Sequence, residues 1–384
     1  MSRAEVTAVA GASDLMLADL RRLVEVESPS GDQEALHRCA EELADVFDAR
    51  LGSHPDIHDD AAVLWSHEPA GATAPPVLLL GHLDTVWPVG TLDRLPFAVD
   101  GGRVTGPGTF DMKGGLVVAI HALAQLQEAG ELPPVRFLVT SDEETGSLRS
   151  RERVEREARR CRRVLVFEPC GPGGAIKTAR KGVALGRVVA RGQASHAGLA
   201  PEEGINAAVG LGGVLADIAD LGDADRGTTV TPTLLRGGTT VNTVPAEAEV
   251  RIDVRFLDDR EVRRVRDRLH QLQARDGVEL EAELEVNRPA LTESASAALL
   301  PALRAAAGDA GQELNTVTVG GASDGNIAAA AGAAVLDGLG PEGDGAHADH
   351  EHVTVRGLER RLALLVALLP RVAVVEVPSA GSAG

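Results

Sequence analysis

The sequence predicts an α/β fold in which a central sheet flanked by helices is interrupted by an inserted ferredoxin-like α+β module. Three observations carry this expectation. Apolar runs of strand length at Leu78-Leu79-Leu80, Val135-Arg136-Phe137-Leu138-Val139-Thr140 and Val164-Leu165-Val166-Phe167 each stop at polar or acidic residues, as buried strands do. Segments with apolar residues at helical spacing lie between and around them. Between 181 and 292 the order becomes β-α-β-β-α-β, the split pattern of a ferredoxin-like module. The main domain is therefore expected at 1–180 and 293–384, with the insertion at 181–292.

The chain in order supports each part. Apolar residues recur at helical spacing over 12–26 and 33–47, separated by the breaker Ser28-Pro29-Ser30-Gly31. His54, His58, Asp59 and Asp60 form a polar cluster that reads as a solvated hairpin before the strand Val63-Leu64-Trp65. A glycine-rich loop, Gly106 to Gly115, feeds a helix over 116–127, and its spacing of glycine and lysine excludes a P-loop. In the insertion, strands are expected at 183–191, 229–235, 248–256 and 278–286, with helices at 205–221 and 261–272. A helix over 295–307, a strand at 316–319, a helix capped by Ser323, a short strand at Val335-Leu336 and a helix over 356–368 follow. The small-residue tail 378–384 reads as disordered.

Bulk properties narrow the function. A chain of 384 residues exceeds the usual size of one hydrophobic core. With 44% hydrophobic and 25% charged residues it reads as globular. The net charge of −19 argues against nucleic acid or an anionic membrane as partner, since both demand the opposite field. No signal peptide or membrane span is evident, and Cys39, Cys161 and Cys170 lack zinc-knuckle spacing and cannot all pair, which suits the cytoplasm.

The strand ends carry the chemistry. His82 and Asp84, two apart, can face the same way, so His82 reads as a metal ligand and Asp84 as the acceptor that orients its imidazole. Asp111 sits at a loop-to-helix junction, where a carboxylate can cap the helix or, with glycines nearby, meet other ligands. Asp142, Glu143 and Glu144 repel one another unless a cation or solvent relieves them, and Gly146 allows the turn that brings Glu143 and Glu144 to one site. Glu168 ends the next strand. Ligands of open α/β sheets collect outside the carboxyl ends of strands, where His82, Glu143, Glu144 and Glu168 all fall. His82, Asp111, Glu144, Glu168 and one late histidine form a nitrogen and oxygen set suited to Zn²⁺. One shared carboxylate would hold two ions roughly 3.5–4 Å apart, and Glu143 is then the natural general base.

With these motifs the chain resembles the di-zinc family of glutamate carboxypeptidases, aminoacylases, acetylornithine deacetylases and succinyl-diaminopimelate desuccinylases. The likeness runs through Gly-His-Leu-Asp-Thr-Val, Gly-Pro-Gly-Thr-Phe-Asp-Met-Lys-Gly-Gly, Asp-Glu-Glu-Thr-Gly, Glu-Pro, Ala-Ser-His-Ala-Gly, Gly-Gly-Ala-Ser-Asp-Gly-Asn and Gly-Ala-His. It implies a zinc-peptidase-like catalytic domain on a central mixed sheet and makes the insertion a lid and dimerisation domain. By the same resemblance His82, Asp111 and Glu168 hold one Zn²⁺, and Asp111, Glu144 and His347 the second, with Co²⁺ or Mn²⁺ as alternatives. Asp111 bridges, often with a cis peptide after it. His350 and His352 compete with His347, but Gly-x-His with Glu351 four residues on favours His347.

His196 is implied to stabilise the tetrahedral oxyanion from its own subunit or from the partner of a homodimer, with Asn242 beside it. Arg288 lines up with an arginine that grips a substrate carboxylate, and Gly320 and Gly321 offer backbone donors. The implied substrate is a small peptide or N-acyl amino acid with a free carboxylate. Glu at 168 resembles the carboxypeptidase and deacylase branches, so release of a C-terminal residue such as glutamate is the leading expectation. N-acyl amino acid deacylation is the runner-up, and a metal-binding scaffold without turnover is the rival outside catalysis.

Overall fold

The computed structural model describes residues 3–377, so the tail at 378–384 lies outside the described residues. Two compact units make up the chain. Among the described residues the first comprises 3–179, Thr292–Thr318 and 323–377, and the second Arg180–Leu291 with Val319–Ala322.

The first unit is built on a six-stranded mixed sheet. Its strands lie in the order Asp56–Ile57, Val63–His67, Val135–Thr140, Val77–His82, Arg163–Val166, Ala334–Leu336. The last four run parallel, and the first two are an antiparallel hairpin at the edge. Val77–His82 and Val135–Thr140 are buried along their whole length, which explains their largely apolar character, and the one charged residue of the second, Arg136, is paired with Glu157 and Glu68. Their side chains divide between two faces. Leu79, Phe137 and Leu165 enter the main core with Leu36, Phe47, Leu123, Leu365 and Leu368 from helices Gln33–Leu51, Gly114–Glu128 and Val355–Ala373. Leu78, Leu80, Leu138 and Val164 face the other way, where Arg151–Cys161 and Asp324–Ala330 pack together against the sheet.

Register decides where the site forms. His82 pairs with Thr140 and Leu80 with Val166, so three parallel strands end at one edge. A second, four-stranded sheet joins Ala98–Asp100, Arg103–Thr105, His352–Thr354 and Gly343–Asp344, pairing His352 with Thr105. It staples the segment before Asp111 to the segment after His347.

In the second unit the four strands are antiparallel, in the order Thr229–Gly237, Glu247–Phe256, Gly182–Arg191, Glu279–Arg288. Helices Ala207–Gly212, Leu215–Ala219 and Asp259–His270 supply Leu211, Ile218, Val265 and Leu269 to a core shared with Val188, Val250, Ile252, Val254 and Phe256. The chain order is β-α-β-β-α-β, with a break at Gly213-Val214 dividing the single helix expected over 205–221 into two short ones. Among the described residues no helix is long and apolar enough to cross a membrane.

Candidate metal centre

His82 closes a buried strand and is itself 1% exposed. Its Nδ1 lies 2.9 Å from the carbonyl oxygen of Asp84, an arrangement that fixes the proton on Nδ1 and leaves Nε2 to face outward as a ligand atom. The Asp84 carboxylate, expected as the acceptor for this imidazole, is farther away at 3.5 Å. It instead accepts the backbone N–H groups of Glu143 at 3.1 Å and Glu144 at 3.2 Å, and the Ser30 hydroxyl at 2.7 Å. Ser30 comes from the breaker Ser28-Pro29-Ser30-Gly31 between the first two helices.

Asp111 occupies an irregular turn, Thr109–Lys113, entered through Gly108 at φ +74° and followed by a cis Asp111–Met112 peptide. It does not cap the helix that begins at Gly114, whose N-terminus carries no side-chain cap. Its two carboxylate oxygens diverge. Oδ1 lies 3.2 Å from Nε2 of His82, and Oδ2 lies 3.4 Å from Nε2 of His347.

Glu168 places Oε1 3.5 Å from His82 Nε2, and Glu144 places Oε1 3.0 Å from His347 Nε2. Gly146, at φ +96°, closes the tight turn Glu143–Thr145 that lets Glu143 and Glu144 share the site. Ligand atoms of His82, Asp111 and Glu144 lie within 4.8 Å of one another, as do those of His82, Glu143 and Glu168, which brings the expected base to the same place. The His350 imidazole faces Asp344 at 4.0 Å and Nδ1 of His352 lies against the His350 carbonyl, whereas His347 reaches the cluster.

The donor set suits a metal. Tetrahedral zinc with bonds of about 2.0–2.2 Å separates its ligand atoms by roughly 3.3–3.6 Å, which the four contacts approach. Electrostatics fit as well. Burial opposes charge on His82, yet Asp111, Asp84 and Glu168 raise its pKa well above the ordinary value. Asp111 and Glu144 lift His347 to about 10. Burial works against ionised Asp111, but His347 and His82 hold it below the usual range, whereas burial raises Glu144. Four carboxylates around two imidazoles are an anionic pocket for which a divalent cation supplies the missing charge.

The remaining predicted residues lie in the second unit. Nδ1 of His196 accepts the N–H groups of Gly198 and Leu199 at 3.1 Å each, which assigns the proton to Nε2, and the ring is exposed. Asn242 stands beside it through its carbonyl, which accepts the Ala197 N–H at 2.9 Å. Arg288 ends its strand and is buried, while Arg180 donates to the Gly321 carbonyl at 3.1 Å, next to Gly320.

Sequence reasoning gave no role to one buried residue of this centre. Glu351, with no exposed surface, accepts four hydrogen bonds from the Asp111 loop and Trp87. Its signal was the four-residue spacing from His347. His121, inside the helix Gly114–Glu128, pairs with Asp19 at 2.7 Å.

Residues 78–371 match the model of the family described as Peptidase family M20/M25/M40. Carboxypeptidase G2 of Pseudomonas sp. (strain RS-16) is 30% identical over 371 residues, covering 92% of this chain and 88% of that protein. Succinyl-diaminopimelate desuccinylase of Thioalkalivibrio sulfidiphilus is 28% identical over 390 residues, covering 94% and 98%. Among solved structures, an M20 family metallo-carboxypeptidase from Sulfolobus solfataricus superposes with a TM-score of 0.73 at 16% identity, covering 98% of this chain and 100% of the other. A dinuclear metal binding peptidase of the same family from Bacillus subtilis does so with 0.68 at 15%, covering 96% and 100%.

Proposed function

Since the chain belongs to peptidase family M20/M25/M40, we propose that it is a metallo-carboxypeptidase that hydrolyses a peptide or N-acyl amide bond beside a free carboxylate, releasing a C-terminal residue such as glutamate. The observation that carries the reading is the divergence of the two Asp111 oxygens towards His82 and His347. His82, Asp111 and Glu168 would hold one zinc ion, and Asp111, Glu144 and His347 the other. Bound there, the metals would acidify water and polarise the scissile carbonyl.

The side chains do the rest. Glu143, buried and held at its backbone by Asp84, takes the proton of the attacking water and passes it to the leaving amine. His196, with Nδ1 occupied by two backbone donors, offers Nε2–H to the oxyanion, and Asn242 supports the same turn. Arg288 grips the substrate carboxylate with its planar fork, and Gly320 and Gly321 add backbone donors. The edge strand Thr229–Gly237, with Leu234 and Leu235 exposed, suits a homodimer through the second unit. Three buried, unpaired cysteines suit a cytoplasmic setting.

The 28% identity to a succinyl-diaminopimelate desuccinylase over nearly its whole length favours, as a second reading, N-acyl amino acid deacylation. A panel of C-terminal glutamyl peptides, N-acyl-glutamates, acetylornithine, succinyl-diaminopimelate and unblocked dipeptides separates the readings. Cleavage of glutamyl peptides supports the first, and cleavage confined to acyl-diamino acids supports the second. Cleavage of unblocked dipeptides alone would mean the recognised end is an amine.

A further inference from the structure

One carboxylate joins the two loops that carry the ligands Asp111 and His347. Glu351 Oε1 accepts the N–H groups of Phe110 at 2.9 Å and Asp111 at 3.0 Å, and Oε2 accepts the Gly108 N–H at 2.9 Å and the Trp87 indole N–H at 2.7 Å. Each oxygen therefore holds two donors, which fills the acceptor capacity of an ionised carboxylate. The side chain is 0% exposed, so none of these donors has water as a substitute.

The loop from His347 to Glu351 is equally constrained. Gly345 at φ +82° starts it, and a Cβ there would fall 2.8 Å from the Glu351 N. His347 takes φ +61°, and the Ala348 and Glu351 N–H groups bond back to Gly345 and Ala348. At its outer end Asp349 pairs with Arg94, whose guanidinium lies over the Trp87 ring at 5.1 Å. Glu351 thus stands where the Trp87, Asp111 and His347 segments meet, without touching a ligand atom itself.

We propose that Glu351 is a positioning residue that sets the distance between Asp111 and His347 and thereby governs metal affinity at the Asp111–Glu144–His347 set. This rests on the reading of those residues as ligands. His82 ends a buried sheet strand, and Glu168 follows another by two residues with its carbonyl bonded by the Gly340 N–H, so the His82–Asp111–Glu168 set keeps two rigid members when Glu351 changes. The other set has two members, Asp111 and His347, on loops that Glu351 ties together. Loss of the tie therefore acts unequally, and outer partners of this kind typically change metal affinity by about 10–100-fold.

Glu351→Gln is the informative variant, because the amide fits the space but turns an N–H₂ towards two N–H donors. The metal-free chain is titrated with Co²⁺ by calorimetry, and its thermal midpoint is recorded without metal. The wild type is expected to take two equivalents. The variant is expected to keep one tight equivalent and bind the other roughly 10–100-fold more weakly. Adding Trp87→Phe removes one opposed donor and is expected to restore part of the lost affinity.

Wild-type affinity for both equivalents in Glu351→Gln would overturn the proposal while leaving the reading of the site intact. Parallel loss of both equivalents, tracking a fall in the metal-free thermal midpoint and unaffected by Trp87→Phe, would reduce Glu351 to a general structural residue. A wild type that binds no metal would overturn the proposal together with the function it rests on.

Discussion

The Asp84 carboxylate holds the backbone of Glu143, with Oδ1 3.1 Å from the Glu143 nitrogen. Oδ2 takes the Glu144 N–H and the Ser30 hydroxyl, so one buried side chain sets the turn that presents both the proposed base and a proposed ligand. Orientation of His82 falls mainly to the Asp84 carbonyl oxygen. Asp84→Asn leaves that carbonyl in place but has a single acceptor oxygen for the turn. Turnover should fall by about 10–100-fold while His82 continues to bind metal, as seen by kcat measured alongside metal content. Loss of metal with full specific activity per bound metal would contradict this division of labour.

Glu143→Gln tests the proton carrier. The amide keeps the size of the side chain but cannot take a proton. Metal content should be unchanged, and kcat should drop by at least about 10²–10⁴-fold with KM little altered. Retained turnover would remove Glu143 as the base.

The pH response of the metal-free chain follows from His347. Its folded pKa is raised by Asp111 and Glu144 from 6.5 to about 10. A group raised in this way contributes stability that is complete below the unfolded value and lost as pH climbs through the folded one. The metal-free protein should therefore lose stability between about pH 6.5 and 10, with His82 acting in the same direction. His347→Ala should flatten the dependence when denaturation midpoints are compared across that window. Metal binding must expel the same proton, so calorimetry in buffers of different ionisation heat should detect proton release at neutral pH.

Gly115→Ala probes the seat of Glu168. A Cβ at Gly115 would lie 2.2 Å from the backbone oxygen of Phe167, the residue before Glu168. A backbone atom at a strand end cannot step aside as a side chain does, so the variant should lose about 1–3 kcal/mol or fail to fold. An unchanged urea midpoint would show that the helix Gly114–Glu128 has more room than the structure gives it.

The main sheet was legible because its parallel strands are largely apolar runs that stop at polar or charged residues. Val135–Thr140 and Thr316–Val319 fall at the expected bounds, and Ser323 caps its helix in a full capping box. The small sheet around Ala98–Asp100 and His352–Thr354 gave no signal, since its strands are two or three residues long and partly exposed. Helix Arg151–Cys161 is not legible in the sequence because its charges mask a narrow apolar stripe of Val154, Ala158 and Cys161. Strand ends marked His82, Glu143, Glu144 and Glu168, but selecting His347 over His350 and His352 from residues alone needed the family pattern. The partners of Asp84 and Glu351 are backbone N–H groups, the Ser30 hydroxyl and the Trp87 indole, all distant in sequence, which no spacing reveals.

The central claim is that Asp111 serves two metal ions at once. The most direct test is metal stoichiometry by elemental analysis of the wild type, Asp111→Ala and His347→Ala after dialysis against limiting Zn²⁺. Two ions per chain are expected in the wild type, one in His347→Ala and fewer than one in Asp111→Ala. Two ions retained in Asp111→Ala, or a single ion in the wild type that survives both changes, would contradict a shared carboxylate.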